Sequence, residues 1–233
     1  MADRRLIVNA DDFGRCPLIN AGLIQAHERG IVTSASLMCR WPGAAEAARY
    51  ASRRPALAGG LHLDLGEWRH REGDWTPAYE VVDFEDEQAV ESEIRGQLAA
   101  FRGLVGRDPT HLDSHQHVHR FEPVASVALD VAEEIGVPLR SRDPRIGYRG
   151  DFYGRTREGR ALHEAITVQA LVDLLRSLPE GVTELGCHPG EGSQSDGEYV
   201  TERQLEVRAL TDFRVRATLD SEGIGLCSFA DFA

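Results

Sequence analysis

Short apolar segments alternate with amphipathic ones along the whole chain, and this alternation limits the fold more than any other feature. Arg5 to Ala10 is an apolar run rich in branched residues and reads as a buried strand. LINAGLIQAHERG follows, with Pro17 near its start and Gly30 at its end, the punctuation of a helix. Thr33 to Cys39 reads as a strand, Pro42 to Arg54 as a helix, and Gly59 to Leu65 (GGLHLDL) alternates as a strand does. An irregular stretch is expected from Gly66 to about Phe84, then an amphipathic helix over FEDEQAVESEIRGQLAAFRGL. THLDSHQHVHR starts as a strand, Glu122 to Gly136 reads as a helix and Val137 to Ser141 as a strand. A long arginine-rich segment leads to the helical TVQALVDLLRSL, the strand TELGCH, one long helix from Thr201 to Gly223, and a closing IGLCSFADF.

Strand and helix in turn, with no repeat and no low-complexity linker, argue one α/β domain over residues 1–233. About seven mainly parallel strands fit a barrel or a doubly wound sheet. In either, side chains at the C-terminal strand ends share one rim, and the polar clusters fall there. LIVNADDFG ends a buried run with Asp11 and Asp12. One acid fits as a helix cap ahead of Pro17. Two adjacent acids repel, and a divalent cation gives a reason to keep both.

In HLDSHQHVH, His111, Asp113, His115, His117 and His119 share one parity. A core would not accept such a face, so the strand is expected to end near Asp113 with the histidines fanning over its tip. Histidine is the commonest metal ligand, and a nearby carboxylate fixes its tautomer. His62, in GLHLDL, lies within a strand, where a histidine is more often a hydrogen-bonded core residue; its place near the strand end adds it to the cluster. His188 sits between a strand and a Pro-Gly turn, with Pro189 holding it extended. From that segment alone, a turn residue and a general acid or base weigh equally.

Composition removes several classes. The chain has no lysine, which excludes lysine Schiff bases and a Walker A loop. A net charge of -12 argues against nucleic-acid and anionic-membrane binding. No apolar run approaches the roughly 20 residues of a membrane span, and the N-terminus lacks a signal-peptide pattern, so a cytoplasmic protein is expected. Cys16, Cys39, Cys187 and Cys227 are scattered without a CxxC pair and read as small buried residues in a reducing compartment. Arg140 to Arg160 carries seven arginines against Asp143, Asp151 and Glu158. It is weighed as a loop for a sugar phosphate and as a solvated loop, with the second favoured.

NADDFG, GLHL, THLDSHQHVH and CHPG, in this order and across essentially the whole chain, resemble the YdjC-like family, which includes chitooligosaccharide deacetylases. The resemblance implies a (β/α)-barrel-like, polysaccharide-deacetylase-type fold. It implies removal of acetyl groups from N-acetylated sugars with a divalent metal, Mg2+ or Zn2+. Carried over by position, it makes Asp12, His62 and His115 the metal ligands, Asp11 the base that activates water, and His188 the proton donor to the departing amine. Asp113 would orient a ligand or the base, and His117 and His119 would line the pocket. Asp64 departs from the family, following GLHL where relatives often carry a neutral residue. The segments after His62 and Arg140 also differ, so the family's sugar is not carried over. The expected partner is a small N-acetylated sugar, phosphorylated or not, and a homodimer is left open. A metal-dependent phosphoesterase and a non-catalytic metal-dependent sugar-binding protein are the competing readings.

Overall fold

In the computed structural model, which describes residues 3–71, 73–192 and 199–233, parity along the strands decides what faces where. The strands are β1 (Arg4–Phe13), β2 (Ser34–Leu37), β3 (Ala58–Leu63), β4 (Gly66–Arg71), β5 (Asp74–Glu80), β6 (Leu112–Ser114), β7 (Ile146–Arg149), β8 (Gly181–Cys187) and β9 (Ile224–Cys227). The helices are α1 (Pro17–Arg29), α2 (Ala44–Ser52), α3 (Glu87–Val105), α4 (Val124–Ile135), α5 (Val168–Arg176), α6 (Val200–Leu210) and α7 (Phe213–Glu222). Among the described residues, seven strands form a parallel sheet in the order β6-β3-β2-β1-β8-β7, with β9 also on β1. β8 runs along one edge of β1. On the other edge β9 pairs with Arg4 to Ile7, and β2 takes over from Asn9. The sheet curls into a half-barrel, the α/β class expected from the alternation.

Leu6, Val8 and Ala10 of β1 face outward into one apolar cluster with Leu23 of α1, Leu61 of β3 and Leu185 of β8. The opposite parity faces inward. At the bottom lie Ile7, Ala58, Ile146, Val182 and Phe229, a second apolar cluster. One step up the same faces come Asn9, Gly60, His111 and Glu184; another step up come Asp11, His62 and Asp113. The interior thus passes from dry to charged along each strand. His111 stacks on Phe229 with ring centroids 3.7 Å apart. A Cβ on Gly60 would lie 2.2 Å from the His111 ring, so the glycine makes room for it.

Four expectations need correction. Gly66 to Glu80 is a hairpin of β4 and β5, not irregular chain. Most of β5 is exposed, so no apolar alternation marked it. Val137 to Ser141 is not a strand but a single parallel bridge between Leu139 and Leu112. Pro138 has no N–H to extend the ladder, and Ser141 turns away at φ 62°. β7 lies inside the arginine-rich segment; among the described residues it pairs only with β8, and an edge strand of such composition shows no apolar run. The long helix is two, α6 and α7, because the Asp212 side chain accepts from the Arg214 N–H and starts a new helix. Among the described residues, no helix is long and apolar enough to cross a membrane.

Candidate metal and catalytic centre

Asp11 and Asp12 lie just before the last residue of β1, at a register shift against β2, and Asp12 takes the left-handed φ of 65°. Successive strand residues ordinarily point to opposite faces. The irregularity breaks that rule, so Asp12 can join the site that Asp11 faces by parity. Such a backbone costs a non-glycine residue about 1–3 kcal/mol and persists only where surroundings hold it. Here Arg203 of α6 donates to Asp12 Oδ2.

The other oxygen, Asp12 Oδ1, is buried and has no hydrogen-bond partner among the described residues. It lies 3.2 Å from His115 Nδ1 and 3.6 Å from His62 Nε2. A buried carboxylate oxygen facing two imidazole nitrogens matches the chemistry of a divalent cation, and one carboxylate with two histidines leaves positions for water and substrate. Asp11, His62 and Asp113 also cluster. Both of those carboxylates, however, are already engaged by Arg140. The residues therefore fit a metal at Asp12, His62 and His115.

Each imidazole is held from behind. His62 Nδ1 donates to Asp113 Oδ1 at 2.7 Å, and His115 Nε2 lies 3.3 Å from Glu67 Oε2 on β4. Burial disfavours the charged form of both rings, but the acids around them outweigh it. His62 is raised above the usual histidine value by Asp113 and Asp11, and His115 is raised to about 9 by Asp12 and Glu67. Burial likewise opposes the charge on Asp12, yet Arg203 and His115 hold its carboxyl well below the ordinary range.

Arg140 organises Asp11. Its Nη1 and Nη2 donate to the two oxygens of Asp11, each at 2.7 Å. Nη2 also lies 2.8 Å from Asp113 Oδ2, and Nε donates to Glu184 at 2.8 Å. Asn9 adds a bond to Asp11 at 3.0 Å. Burial works against the Asp11 charge, but Arg140 leaves its pKa lowered. Glu184, by contrast, is pushed up to about 7 by burial. His188 Nε2 stands 3.8 Å from Asp11 Oδ2, and burial lowers His188 to about 4.

All five residues assigned to metal or catalysis line one cleft of about 1320 Å³. His117 is on its wall, with Nε2 3.3 Å from the Tyr148 hydroxyl. His119 is absent from that wall: fully buried, its Nδ1 lies 2.6 Å from Ser114 Oγ. Asp64 accepts from the Tyr79 hydroxyl at 2.7 Å and the Trp41 Nε1 at 2.8 Å, so its charge fastens the hairpin. Of the arginine-rich segment, Arg155 and Arg157 reach the cleft. Arg145, Arg149 and Arg155 pair with Asp143, Asp151 and Glu202.

Sequence reading missed Arg140, Arg203 and Glu67 as parts of the centre. Arg140 stood in an expected strand, and its burial was the missing signal. Arg203 carries no signal in a helix that mixes charged and apolar residues on every side, and Glu67 lay in the stretch expected to be irregular.

The family model for YdjC-like protein matches residues 5–221. A carbohydrate deacetylase from Geobacillus stearothermophilus is 31% identical, over 98% of this chain and 98% of that one. Among solved structures, a putative cellobiose-phosphate cleavage protein from Enterococcus faecalis V583 superposes with a TM-score of 0.79 at 28% identity, covering 100% of both chains. A family 4 carbohydrate esterase from Streptomyces lividans shares the fold at a TM-score of 0.59 and 13% identity, over 98% of this chain and 93% of that one. With a family model spanning nearly its whole length and a relative above 30% identity end to end, the chain belongs to the YdjC-like family.

Proposed function

We propose that this protein is a metal-dependent carbohydrate deacetylase, hydrolysing the N-acetyl group of an acetamido sugar to amine and acetate. The observation that carries this is the unbonded Asp12 Oδ1 between two imidazoles, with a second carboxylate held charged one residue away. The name of the Geobacillus relative supports the same reaction.

Asp12, His62 and His115 would hold the ion, Mg2+ or Zn2+. When bound, such an ion polarises the carbonyl and acidifies water. The protein supplies the rest. Arg140 keeps Asp11 ionised and fixes both its oxygens, so Asp11 can take a proton from the attacking water. His188 is unprotonated at rest near neutral pH, and Asp11, 3.8 Å away, is its nearest proton source once the water has given one up. His188 then delivers a proton to the amine nitrogen as the C–N bond breaks. Tyr153 and Tyr199 flank the His188 ring and limit its swing.

Arg120 and Arg157 line the cleft, and among the described residues neither has an ion-pair partner, which supports a sugar bearing an anionic group. Comparing turnover of phosphorylated and neutral forms of one sugar tests this. The four cysteines are unpaired, in keeping with a cytoplasmic setting. The reading as a whole is tested by acetate release from a panel of acetamido sugars, with and without chelator, and phosphate release measured alongside. Chelator-sensitive acetate release supports it. Phosphate release without acetate points to the phosphoesterase, and release of neither sinks the catalytic reading.

A further inference from the structure

The two imidazoles of the centre are supported from different places. His62 is backed by Asp113, a neighbour on the adjoining strand of the same sheet. His115 is backed by Glu67, which belongs to the β4–β5 hairpin outside that sheet. We infer that Glu67 is a positioning residue for the metal ligand His115, and that the hairpin is thereby part of the metal site. This rests on the metal-centre reading above.

The tautomer argues for it. With His115 Nδ1 turned toward Asp12 Oδ1 and the ion, the ring's proton must sit on Nε2. Nε2–H needs an acceptor. Arg15 Nη1 lies 3.3 Å from that nitrogen but has only hydrogens to offer, whereas Glu67 Oε2, also at 3.3 Å, is a carboxylate. Glu67 is itself fixed: Arg15 Nη2 donates to Oε2, and Arg69 Nε donates to Oε1 at 3.0 Å. It is 6% exposed, so it exchanges its partners for water only if the hairpin moves.

The next residue along each chain makes a second tie. The Gln116 amide accepts from the Trp68 N–H and donates to the Trp68 carbonyl, both at 2.8 Å. Gln116 can do so because it takes a left-handed φ of 51°. Residues 115 and 116 are thus clasped to residues 67 and 68. A carboxylate behind a metal-bound histidine fixes ring orientation and raises basicity, and its loss ordinarily weakens metal binding 10- to 100-fold.

The experiment is a Zn2+ titration of wild type, Glu67→Gln, Glu67→Ala and His115→Ala against a chromophoric chelator, with metal-free thermal unfolding of each. Glu67→Gln keeps size and one acceptor atom, so it carries the test if the alanine variant does not fold. The expected result is about tenfold weaker Zn2+ binding for Glu67→Gln and up to about 100-fold for Glu67→Ala. The metal-free melting point of Glu67→Gln stays within a few degrees of wild type. Zn2+ affinity within twofold of wild type in folded Glu67 variants, with His115→Ala losing it, overturns the inference and leaves the metal centre standing. If His115→Ala also binds as wild type does, the metal centre itself is misassigned.

Discussion

Replacing Arg140 with methionine should destabilise the protein by an amount that grows with pH. Arg140 is 1% exposed, and its side chain contacts three carboxylates, Asp11, Asp113 and Glu184. Without the guanidinium, Glu184 is neutral at little cost, since burial already holds it near 7. Asp113 keeps bonds from His62, Ser36 and Asn9. Asp11 keeps only Asn9. An unpaired buried charge costs about 3–5 kcal/mol, so Asp11 takes up a proton instead. Protonating a carboxyl of ordinary pKa about 3.9 costs about 1.4 kcal/mol per pH unit above that value, hence about 1.5 kcal/mol at pH 5 and about 4 kcal/mol at pH 7. The sign agrees with linkage. Wild-type Asp11, with its lowered pKa, is ionised folded and unfolded from pH 5 to 7, and loses its contribution only as pH falls below the unfolded value toward the folded one. The folded variant instead holds a proton that its unfolded chain has released, so the variant's stability falls as pH rises. At roughly 2–4 °C per kcal/mol, Tm should drop by about 3–6 °C at pH 5 and about 8–16 °C at pH 7. Thermal unfolding at the two pH values reads this directly, and the double variant Arg140→Met/Asp11→Asn should recover most of the loss at pH 7. A deficit equal at both pH values would refute the argument, because it would mean that Arg140 contributes packing rather than charge.

Three further outcomes follow from the same geometry. Asp11→Asn should keep metal binding and lose about 10²- to 10⁴-fold in turnover, whereas Asp12→Asn should lose the metal; near-normal turnover in Asp11→Asn would remove it as the base. Gly60→Ala places a Cβ 2.2 Å from the His111 ring, which is stacked on Phe229, and should cost about 1–3 kcal/mol by overpacking; calorimetry should show much of the loss recovered on adding His111→Ala. His111 is lowered to about 4 by burial, so between about pH 6.5 and 4 the unfolded chain binds a proton that the folded one does not, and stability falls as pH falls. His111→Gln should flatten the stability–pH slope there by about 1.4 kcal/mol per pH unit, and an unchanged slope would show that His111 is not buried neutral.

Much of this was legible because the main sheet is parallel. Such strands end at a common rim, so residues as distant as Asp12, His62, His115 and His188 could be grouped from strand order alone. The five-residue parity of HLDSHQHVH correctly signalled that the strand had to stop, and it stops at Ser114. What stayed hidden were partners whose role depends on being buried. Arg140 looks like any arginine in an arginine-rich stretch until its three carboxylates surround it. The hairpin was hidden for the opposite reason: it packs too little against the core for its residues to show a period. The placement of His119 was equally unreadable, because its parity matches that of His117 while the left-handed turn at Gln116 and His117 sends the two rings to different surroundings.

Among the described residues, the seam of the half-barrel between β6 and β7 carries one bridge, from Leu112 of β6 to Leu139 in the segment ahead of β7, where a closed barrel would have a ladder. The next residue is Arg140, whose guanidinium ties carboxylates of β1, β6 and β8 together across the interior. The backbone bridge at this joint is therefore reinforced by electrostatic ties across the interior, and one of them ends on Asp11, the residue proposed as the base. A chain whose Asp11 has picked up a proton is also a chain whose wall is less firmly joined. One carboxyl thus serves two ends, and a substitution at Asp11 is expected to be felt both in the proposed chemistry and in the joint that Arg140 makes.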